Sequence, residues 1–343
     1  MTNKKNLALF ALAAALITGV AVWAALRPMS DPAPRERLTI AGADRPAFAL
    51  LYVAHAKGYF REEGVEVSFL RPQQGTNTIR TLADEKADLA TVFETPIIER
   101  SFAGDPPSII TTLSSSRRNA GLLALTDRGV SKPEDLKGKK IGVSRNTNGE
   151  FFLFLLLSGE GIKTSQVQLV DVRSNEIAQP IAGGRVDAVA ALNPYLYQAE
   201  TALKGKKTTI FYSDLYFQTA FLIGKTRTVA ERRTALVALL RAVAKAEDFT
   251  RKNQREVIDI VAKYIPDYPK ELIETFWNDF VMEAKLDNVT LNSLQQRAKW
   301  MSSIKDYPQP IPDFRTIIIS DYLREANPAA VTIRAGVIPT FRG

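Results

Sequence analysis

The sequence predicts an α/β protein made of two similar lobes with a ligand cleft between them. The first observation is an echo, since residues 67–96 and residues 167–194 follow one pattern at low identity. In each, a β-type run leads through a polar turn to a helical stretch, then to an aspartate (Asp88 or Asp187), a short apolar strand and a proline. The second observation is length, because 343 residues suit two packed domains. Ligands bind beyond the carboxyl ends of the strands in such sheets.

The composition excludes several classes of chemistry. The chain has no cysteine, which rules out disulfides, thiolate metal sites, thiol nucleophiles and a lipid-modified N-terminal cysteine. It has one histidine, His55, which lies mid-helix and is interpreted as structural. No P-loop, HExxH, GxSxG or Rossmann glycine pattern occurs. We therefore expect a protein that is not an enzyme and that has no metal and no cofactor.

The charge pattern bears on partners. The formal net charge is +8, yet lysines and arginines alternate with acidic residues along the chain. This indicates a solvated basic surface, suited to a folded protein near an anionic membrane, and not a nucleic-acid patch. No nucleic-acid partner is expected.

The N-terminus carries a targeting signal. Lys4 and Lys5 precede the uncharged run Leu7–Leu26, and Arg27 and Pro28 follow it. The run exceeds the usual apolar region of a signal peptide and is long enough to span a bilayer. The positive flank keeps that end in the cytoplasm, so the rest is exported. Residues 1–30 are predicted to be a signal peptide, with a weak cleavage site at Val22–Ala24, or an N-terminal membrane anchor, which the length favours.

The first lobe is predicted at residues 38–118 and 222–343, and the second at residues 119–221. Short apolar runs predict the strands, and amphipathic runs predict the helices between them. The predicted first-lobe strands are Leu38–Ala41, Val65–Leu70, Leu89–Phe93 and Ser108–Leu113, with helices at Leu50–Glu62 and Thr76–Glu85. The predicted second-lobe strands are Lys140–Ser144, Val167–Asp171, Ala188–Leu192 and Thr208–Phe211, with helices at Glu150–Leu157 and Pro194–Leu203.

Two extended stretches are interpreted as the crossings between the lobes. They are Leu122–Leu125 on the way out and Ala220–Ile223 on the return. From Val229 the pattern turns helical, which predicts a C-terminal helical extension packed on the first lobe. Its predicted helices are Ala230–Lys252, Arg255–Lys263, Lys270–Met282 and Leu291–Met301. The fragment after Asp313 has no assigned place.

The candidate ligand-binding residues are those that follow predicted strands. They are Asp44, Arg45 and Phe48; Phe93, Glu94 and Thr95; Ser115 and Arg117; Asn146, Thr147 and Asn148; and Asn193 and Tyr195. The run Asn146–Gly149 places small polar side chains and backbone N–H groups at a helix N-terminus, which is an anion-binding arrangement. The alternative for this run is ordinary helix capping.

The charged candidates suggest the kind of ligand. Arg45 and Arg117 are able to make bidentate contacts with a sulfonate or a carboxylate. Glu94 would repel an anion if it faced the cleft. In that case the ligand would carry an amine or would be a neutral heterocycle.

The run Leu51–Val67 resembles a known family. Its Ala54, Gly58, Tyr59, Phe60, Gly64 and Val67 match the first helix and second strand of periplasmic substrate-binding proteins of nitrate/sulfonate/taurine-type ABC transporters, related to NMT1/THI5-like proteins. Further matches lie at Leu82–Ala90, Leu136–Val143 and Gly184–Ala190, and at Asn193 with Pro194. The set spans roughly Leu38 to Met301 in order.

The resemblance implies a two-lobe, type II periplasmic-binding-protein fold that closes on a small molecule by a hinge motion. It also implies that the run at Asn146–Gly149 meets the charged head of the ligand. The expected partners are a small-molecule solute, a membrane permease and its ATPase, and the membrane through the N-terminal segment, with the protein a periplasmic monomer. The alternatives are a binding protein for a pyrimidine or another neutral aromatic solute, and a sensory receptor. A pyrimidine-synthase-like enzyme is disfavoured, because its cysteine-rich motif is absent.

Overall fold

The computed structural model describes residues 36–42, 44–71, 78–266, 268–304, 307 and 310–333. The predicted signal peptide or anchor, residues 1–30, lies outside the described residues. Within the described ranges, no helix combines the length and the hydropathy needed to cross a membrane. The described residues from Arg37 onward belong to one compact unit.

Two β-sheets organise these residues. The first sheet comprises β1 (Glu36–Ala41), β2 (Val65–Leu70), β3 (Leu89–Val92), β4 (Ser108–Ser116), β10 (Gln218–Gly224) and β11 (Phe280–Val281). The second comprises β5 (Ala120–Leu125), β6 (Lys140–Val143), β7 (Gln168–Asp171), β8 (Ala188–Leu192) and β9 (Thr208–Phe211). The strand order is β11-β4-β10-β3-β1-β2 in the first sheet and β7-β6-β8-β5-β9 in the second. This architecture agrees with the predicted α/β class.

The sequence echo corresponds to a structural repeat. The order β2-β1-β3 in one sheet matches β7-β6-β8 in the other, and the pairs β1–β3 and β6–β8 are both parallel. Asp88 accepts a hydrogen bond from the backbone N–H of Thr39 at 2.8 Å, and Asp187 accepts one from Lys140 at 2.9 Å. Each aspartate therefore ties the third strand of its unit to the first, which explains why the residue recurs.

Replacing Asp187 with alanine is expected to destabilise the fold. The substitution removes a charged acceptor, so the backbone N–H of Lys140 loses its hydrogen bond to Asp187. A loss of about 1.5–3 kcal/mol in the free energy of unfolding is expected. Urea denaturation measures it, with Asp127→Ala as a control that removes an exposed carboxylate just after β5 of the same sheet. A change below about 0.5 kcal/mol, the range of neutral surface substitutions, would contradict this role.

The two predicted crossings are sheet strands instead. Leu122–Leu125 lies in β5, between β8 and β9, and Ala220–Ile223 lies in β10, between β3 and β4. The chain changes sheets in the short segments 117–119 and 212–217. The reason is burial, since both stretches are continuous apolar runs, and such runs form the inner strands of a sheet. The residue bounds of the two lobes stay a prediction.

Helices cover the sheets. The regular helices before β10 are α1 (Ala49–Ala56), α2 (Tyr59–Glu62), α3 (Thr78–Ala83), α4 (Glu94–Phe102), α5 (Asn148–Gly159), α6 (Ala178–Ala182) and α7 (Tyr195–Ala202). Those after it are α8 (Thr226–Glu231), α9 (Arg233–Lys252), α10 (Gln254–Tyr264), α11 (Lys270–Phe276), α12 (Asn288–Ile304) and α13 (Ser320–Ala326). Short 3-10 helices lie at Pro46–Phe48, Thr126–Arg128, Pro133–Leu136, Thr164–Gln166, Ser174–Glu176, Trp277–Asp279, Phe314–Ile317 and Pro328–Ala330.

One predicted helix is divided by a glycine. The expected helix Leu50–Glu62 is broken into α1 and α2 at Gly58, whose φ is +76°. This left-handed conformation interrupts a helix and is one that glycine adopts at little cost.

The second sheet has a packed layer on each face. Leu122 and Ala124 of β5 contact the main core, while Leu123 and Leu125 contact a smaller core on the other face. This alternation is the period of two expected of a strand. Strands covered on both faces read as continuous apolar runs, as these do.

The C-terminal extension is helical, as predicted, with one difference. The expected helix Lys270–Met282 ends as α11 at Phe276, and a 3-10 turn then leads into β11. β11 pairs antiparallel with β4 and places the extension on the first sheet. The unassigned fragment after Asp313 includes α13, which contacts α9 and carries the ion pair Arg233–Glu325 at 2.6 Å.

Candidate ligand-binding cleft

A cavity of about 730 Å³ lies at the carboxyl ends of strands from both sheets. This is where ligands bind in open α/β sheets, and the volume falls in the range of small-molecule sites. The lining residues from the first sheet and its helices are Asp44, Arg45, Phe48, Arg71, Thr78, Thr91, Val92, Phe93, Thr95, Pro96 and Glu99. Those from the second are Ser144, Asn146, Thr147, Asn148, Gly149, Ser174, Ala190, Ala191, Leu192 and Tyr195, and the extension adds Ile265 and Tyr268.

Most of the sequence-predicted residues come together in this cavity. Its lining includes Asp44, Arg45, Phe48, Phe93, Thr95, Asn146, Thr147, Asn148 and Tyr195. They come from separate stretches of the chain that share one property, a position just after a strand. Four predicted residues, Glu94, Ser115, Arg117 and Asn193, are not part of the lining.

Glu94 lies beneath the cleft and does not face it. The side chain is fully buried, and its Oε1 accepts a hydrogen bond from the backbone N–H of Thr219 at 2.6 Å. Its Oε2 lies 3.8 Å from Nη2 of Arg297. Burial raises the pKa of Glu94, while the neighbouring arginine acts in the opposite direction. Glu94 therefore gives no argument for a ligand amine, and the carboxylates that do line the cavity are those of Asp44 and Glu99.

The other three residues are held elsewhere by the backbone. Ser115 pairs with Thr219 and Val281 within the first sheet. The Arg117 guanidinium donates to the carbonyl of Asp214 at 2.8 Å and lies over the Phe217 ring. The backbone N–H of Asn193 donates to the carbonyl of Asn119 at 2.9 Å. Each of them extends a strand or its connection and does not reach the cavity.

The run Asn146–Gly149 combines capping with a cleft position. Thr147 is the N-cap of α5, and its Oγ1 accepts from the Gly149 N–H at 3.2 Å. The Glu150 carboxylate accepts from the Asn146 N–H at 2.7 Å and from the Arg145 guanidinium at 2.5 Å. Gly149 brings the helix start close to β8, since a Cβ there would lie 3.3 Å from the Ala190 carbonyl oxygen. The loop is thus fixed at the cavity wall.

Two helix N-termini meet across the cleft. Thr95, in the first turn of α4, donates its hydroxyl to Oδ1 of Asn148, the first residue of α5, at 2.6 Å. Both side chains are buried, at 7% exposure each. The positive ends of the two helix dipoles therefore converge on one region of the cavity, which favours an anionic group there.

Arg45 provides a cation in the cavity lining. Its Nη1 donates to the Tyr268 hydroxyl at 3.0 Å, and its Nε lies 3.8 Å from an Asp44 carboxylate oxygen. Its carbonyl accepts from the Tyr52 hydroxyl at 2.9 Å, which fixes the backbone. Burial raises the pKa of Tyr268 to about 12, so its hydroxyl stays protonated at neutral pH. The guanidinium is thus held in place by a neutral partner.

Apolar side chains complete the lining. The rings of Phe48 and Phe93 lie with their centroids 5.7 Å apart. Leu192 and Ile265 add aliphatic surface to the same cavity. A polar, donor-rich region next to an apolar wall suits a small ligand with a charged head and an organic body.

Several cavity residues were missed by the sequence interpretation. Arg71 follows β2 and Ser174 follows β7, so the strand-end rule that selected the others applies to them as well. Ile265 and Tyr268 lie between helices of the extension and carry no local signal. Arg297, which contacts the lining residues Thr95 and Asn148 without lining the cavity itself, did carry a signal, since it occupies the apolar stripe of its helix, three residues after Leu294 and four before Met301.

Comparisons with known proteins agree with this architecture. The model of the family described as NMT1/THI5 like matches residues 45–257. A putative thiamine biosynthesis protein of Haemophilus influenzae is 25% identical over 263 residues, covering 75% of this chain and 82% of that protein. A putative aliphatic sulfonates-binding protein of Bacillus subtilis is 25% identical over 283 residues, covering 80% of this chain and 84% of that protein.

Solved structures share the fold. The periplasmic aliphatic sulphonate binding protein SsuA from Escherichia coli matches at a TM-score of 0.72 and 19% identity, covering 84% of this chain and 99% of that one. The desulfurization enzyme DSZB matches at a TM-score of 0.61 and 16% identity, covering 85% of this chain and 99% of that one. At these identities the likeness bears on the fold alone, which is the one predicted.

Proposed function

The chain belongs to the NMT1/THI5-like family, and from that premise we propose that it is the extracytoplasmic solute-binding component of an ABC importer. The observation that carries the proposal is the cavity between the two sheets, where two helix N-termini and Arg45 lie beside an apolar wall. The protein captures the solute by hinge closure and presents the closed form to a membrane permease and its ATPase. It acts in the periplasm, and the N-terminal segment tethers it to the membrane.

The proposed solute is a small organic anion of the sulfonate class, including taurine. Its oxygens are bound by Asn148 and by the N-terminus of α5, while Arg45 and Arg71 supply positive charge. Its organic part packs against Phe48 and Phe93. The names of the B. subtilis relative and of SsuA support this choice of substrate. Glu94 does not oppose an anionic head, because it lies outside the lining, and the Asp44 and Glu99 carboxylates in the lining suit the amine of a zwitterion such as taurine.

A neutral aromatic solute, such as a pyrimidine, is the second candidate. The tilted pair Phe48 and Phe93 offers ring faces for stacking, and the H. influenzae relative is named for thiamine biosynthesis. Catalysis is the weaker alternative, because a cysteine-dependent reaction is not available to a chain without cysteine. A sensory receptor of the same fold would bind the same solute and differ only in its partner.

A thermal-shift series on the purified full-length protein in mild detergent tests the proposal. Ethanesulfonate, taurine, nitrate and a hydroxymethylpyrimidine are the probes. A ligand at a hundred times its Kd stabilises the folded state by about 2.7 kcal/mol, which means a rise of several degrees in Tm. A rise with ethanesulfonate or taurine is expected. A rise with the pyrimidine alone would replace the sulfonate assignment by the second candidate, and no rise with any probe would contradict both.

A further inference from the structure

A buried arginine of the C-terminal extension contacts the floor of the cleft. Arg297 lies on α12, is fully buried and stacks over the Phe151 ring, with its Cζ 4.2 Å from the ring centroid. Its Nη1 donates to Oδ1 of Asn148, and also to Oγ1 of Thr95 at 3.3 Å. It is therefore in direct contact with two residues that line the cavity, although it does not line the cavity itself.

The direction of these hydrogen bonds is fixed by chemistry. A guanidinium has donors and no acceptor, so the atom of Asn148 that faces it must be the amide oxygen. The Thr95 hydroxyl accepts from Arg297 and donates its own hydrogen bond to the same Asn148 oxygen, at 2.6 Å. Reversing the amide would place its NH2 group against two donors. The orientation of the Asn148 amide is therefore set by its hydrogen-bond partners.

This orientation leaves the amide nitrogen of Asn148 available to a ligand. With Oδ1 occupied, the Nδ2 group of Asn148 carries two N–H donors and has no acceptor among the described residues. Asn148 is only 7% exposed, lines the cavity and begins a twelve-residue helix. The Nδ2 atom is not among the fully buried polar atoms that lack a partner, so it is open to the cavity, and a ligand oxygen there would accept its hydrogen bonds.

We infer that Arg297 is a positioning residue that makes the cleft selective for an anionic head group. By binding Oδ1 of Asn148 it turns the two amide N–H groups toward the ligand oxygens, and the chain of donors polarises those N–H bonds. Without Arg297 the amide is free to turn its oxygen to the ligand, which repels an anion. The inference rests on the proposed function and adds the residue that sets head-group selectivity.

Two variants test it. In Arg297→Met combined with Glu94→Gln, both buried charges are removed together, so that neither is left unpaired, and such replacements are often tolerated. In Asn148→Asp the acceptor toward Arg297 is kept and the N–H donors are lost. Ethanesulfonate binding is measured by calorimetry on the full-length protein, and the folded state of each variant is checked by its Tm. Both variants are expected to lose at least about tenfold in affinity, the effect of one good hydrogen bond.

A spectroscopic signature separates positioning from a general structural effect. The side-chain amide signals of Asn148, assigned by their absence from Asn148→Asp, are expected to shift on ethanesulfonate addition in the wild type and not in the double variant. If the double variant does not fold, Arg297→Lys provides the test: it keeps a positive charge beside Glu94 but loses the planar fork that stacks on Phe151 and contacts Asn148, and it is expected to stay folded and to lose several-fold in affinity for ethanesulfonate.

The outcomes are distinct. Wild-type binding with unchanged affinity in the double variant, or in Asn148→Asp, would overturn the positioning role and leave the proposed function intact. A wild-type protein that binds no sulfonate would overturn both, because the selectivity inferred here is for that head group. Loss of affinity in both variants, with the signal shift confined to the wild type, would support the inference.

Discussion

Replacing Arg297 alone with alanine is expected to lower the free energy of unfolding by about 3–5 kcal/mol, the typical cost of breaking a buried ion pair. Glu94 lies 3.8 Å away, and both side chains have no exposed surface. The substitution leaves the carboxylate buried without its counter-charge and removes the stacking on Phe151. It also removes the donor to Asn148 and Thr95, so both sheets and the extension lose a common contact.

This loss is expected to depend on pH. Burial raises the pKa of Glu94 above its usual value, and removing Arg297 raises it further. The folded variant then holds a proton on Glu94 that the unfolded chain releases above its ordinary pKa. Stability of the variant is therefore greatest at low pH and falls as the pH rises toward the folded pKa. Urea denaturation at pH 5.5 and pH 7.5 is the measurement, with the smaller deficit relative to wild type expected at pH 5.5.

Two further variants control this result. Lys299→Ala changes an exposed residue of the same helix and is expected to stay within about 0.5 kcal/mol of wild type. Adding Glu94→Gln to Arg297→Ala removes the unpaired charge and is expected to restore part of the stability and to abolish the pH dependence. If Arg297→Ala lowered the free energy of unfolding by less than about 1 kcal/mol, the Arg297–Glu94 contact would not act as a buried ion pair.

The fold was predictable from sequence where the signal was local or repeated. The echo around Asp88 and Asp187 predicted two βαβ units, because each aspartate performs the same local task in its own unit. The role of Ala220–Ile223 was not predictable in this way. An extended apolar run looks the same whether it bridges two lobes or pairs in a sheet, and its partners in β3 and β4 lie more than a hundred residues earlier.

The residues of the candidate site were likewise predictable only where the sequence signal was local. Arg45, Phe93 and Asn148 were found because the carboxyl end of a strand is readable from the order of elements. Tyr268 and Arg297 reach the cleft only because the extension folds back over the first sheet, which no local pattern specifies. Both also lie beyond residue 257, where the family match ends. We therefore expect this part of the cleft to tune ligand choice within the family.

Replacing Arg45 with methionine is expected to weaken ethanesulfonate binding by about 10–100-fold, since a charge-assisted contact contributes roughly 1.5–3 kcal/mol. Methionine keeps much of the apolar length of the side chain and removes the guanidinium. The loss of the donor to Tyr268 leaves that hydroxyl protonated and neutral, while the Asp44 carboxylate, 3.8 Å from the Arg45 Nε, loses its counter-charge and adds to the repulsion of an anion. Calorimetric titration of the full-length protein measures the change.

Arg117→Met is the matched control, because it makes the same chemical change outside the cleft. Arg117 donates to the Asp214 carbonyl and lies over Phe217, away from the cavity lining. Its affinity for ethanesulfonate is expected to stay within about twofold of wild type, because Arg117 is exposed and lies outside the lining, and salt screens the charge of an exposed group. Equal losses in the two variants would mean that the arginines act through the overall field of the protein, and those losses would then fade with added salt. A loss confined to Arg45→Met that persists in salt would instead require direct contact with the anion, because only a desolvated pair resists screening.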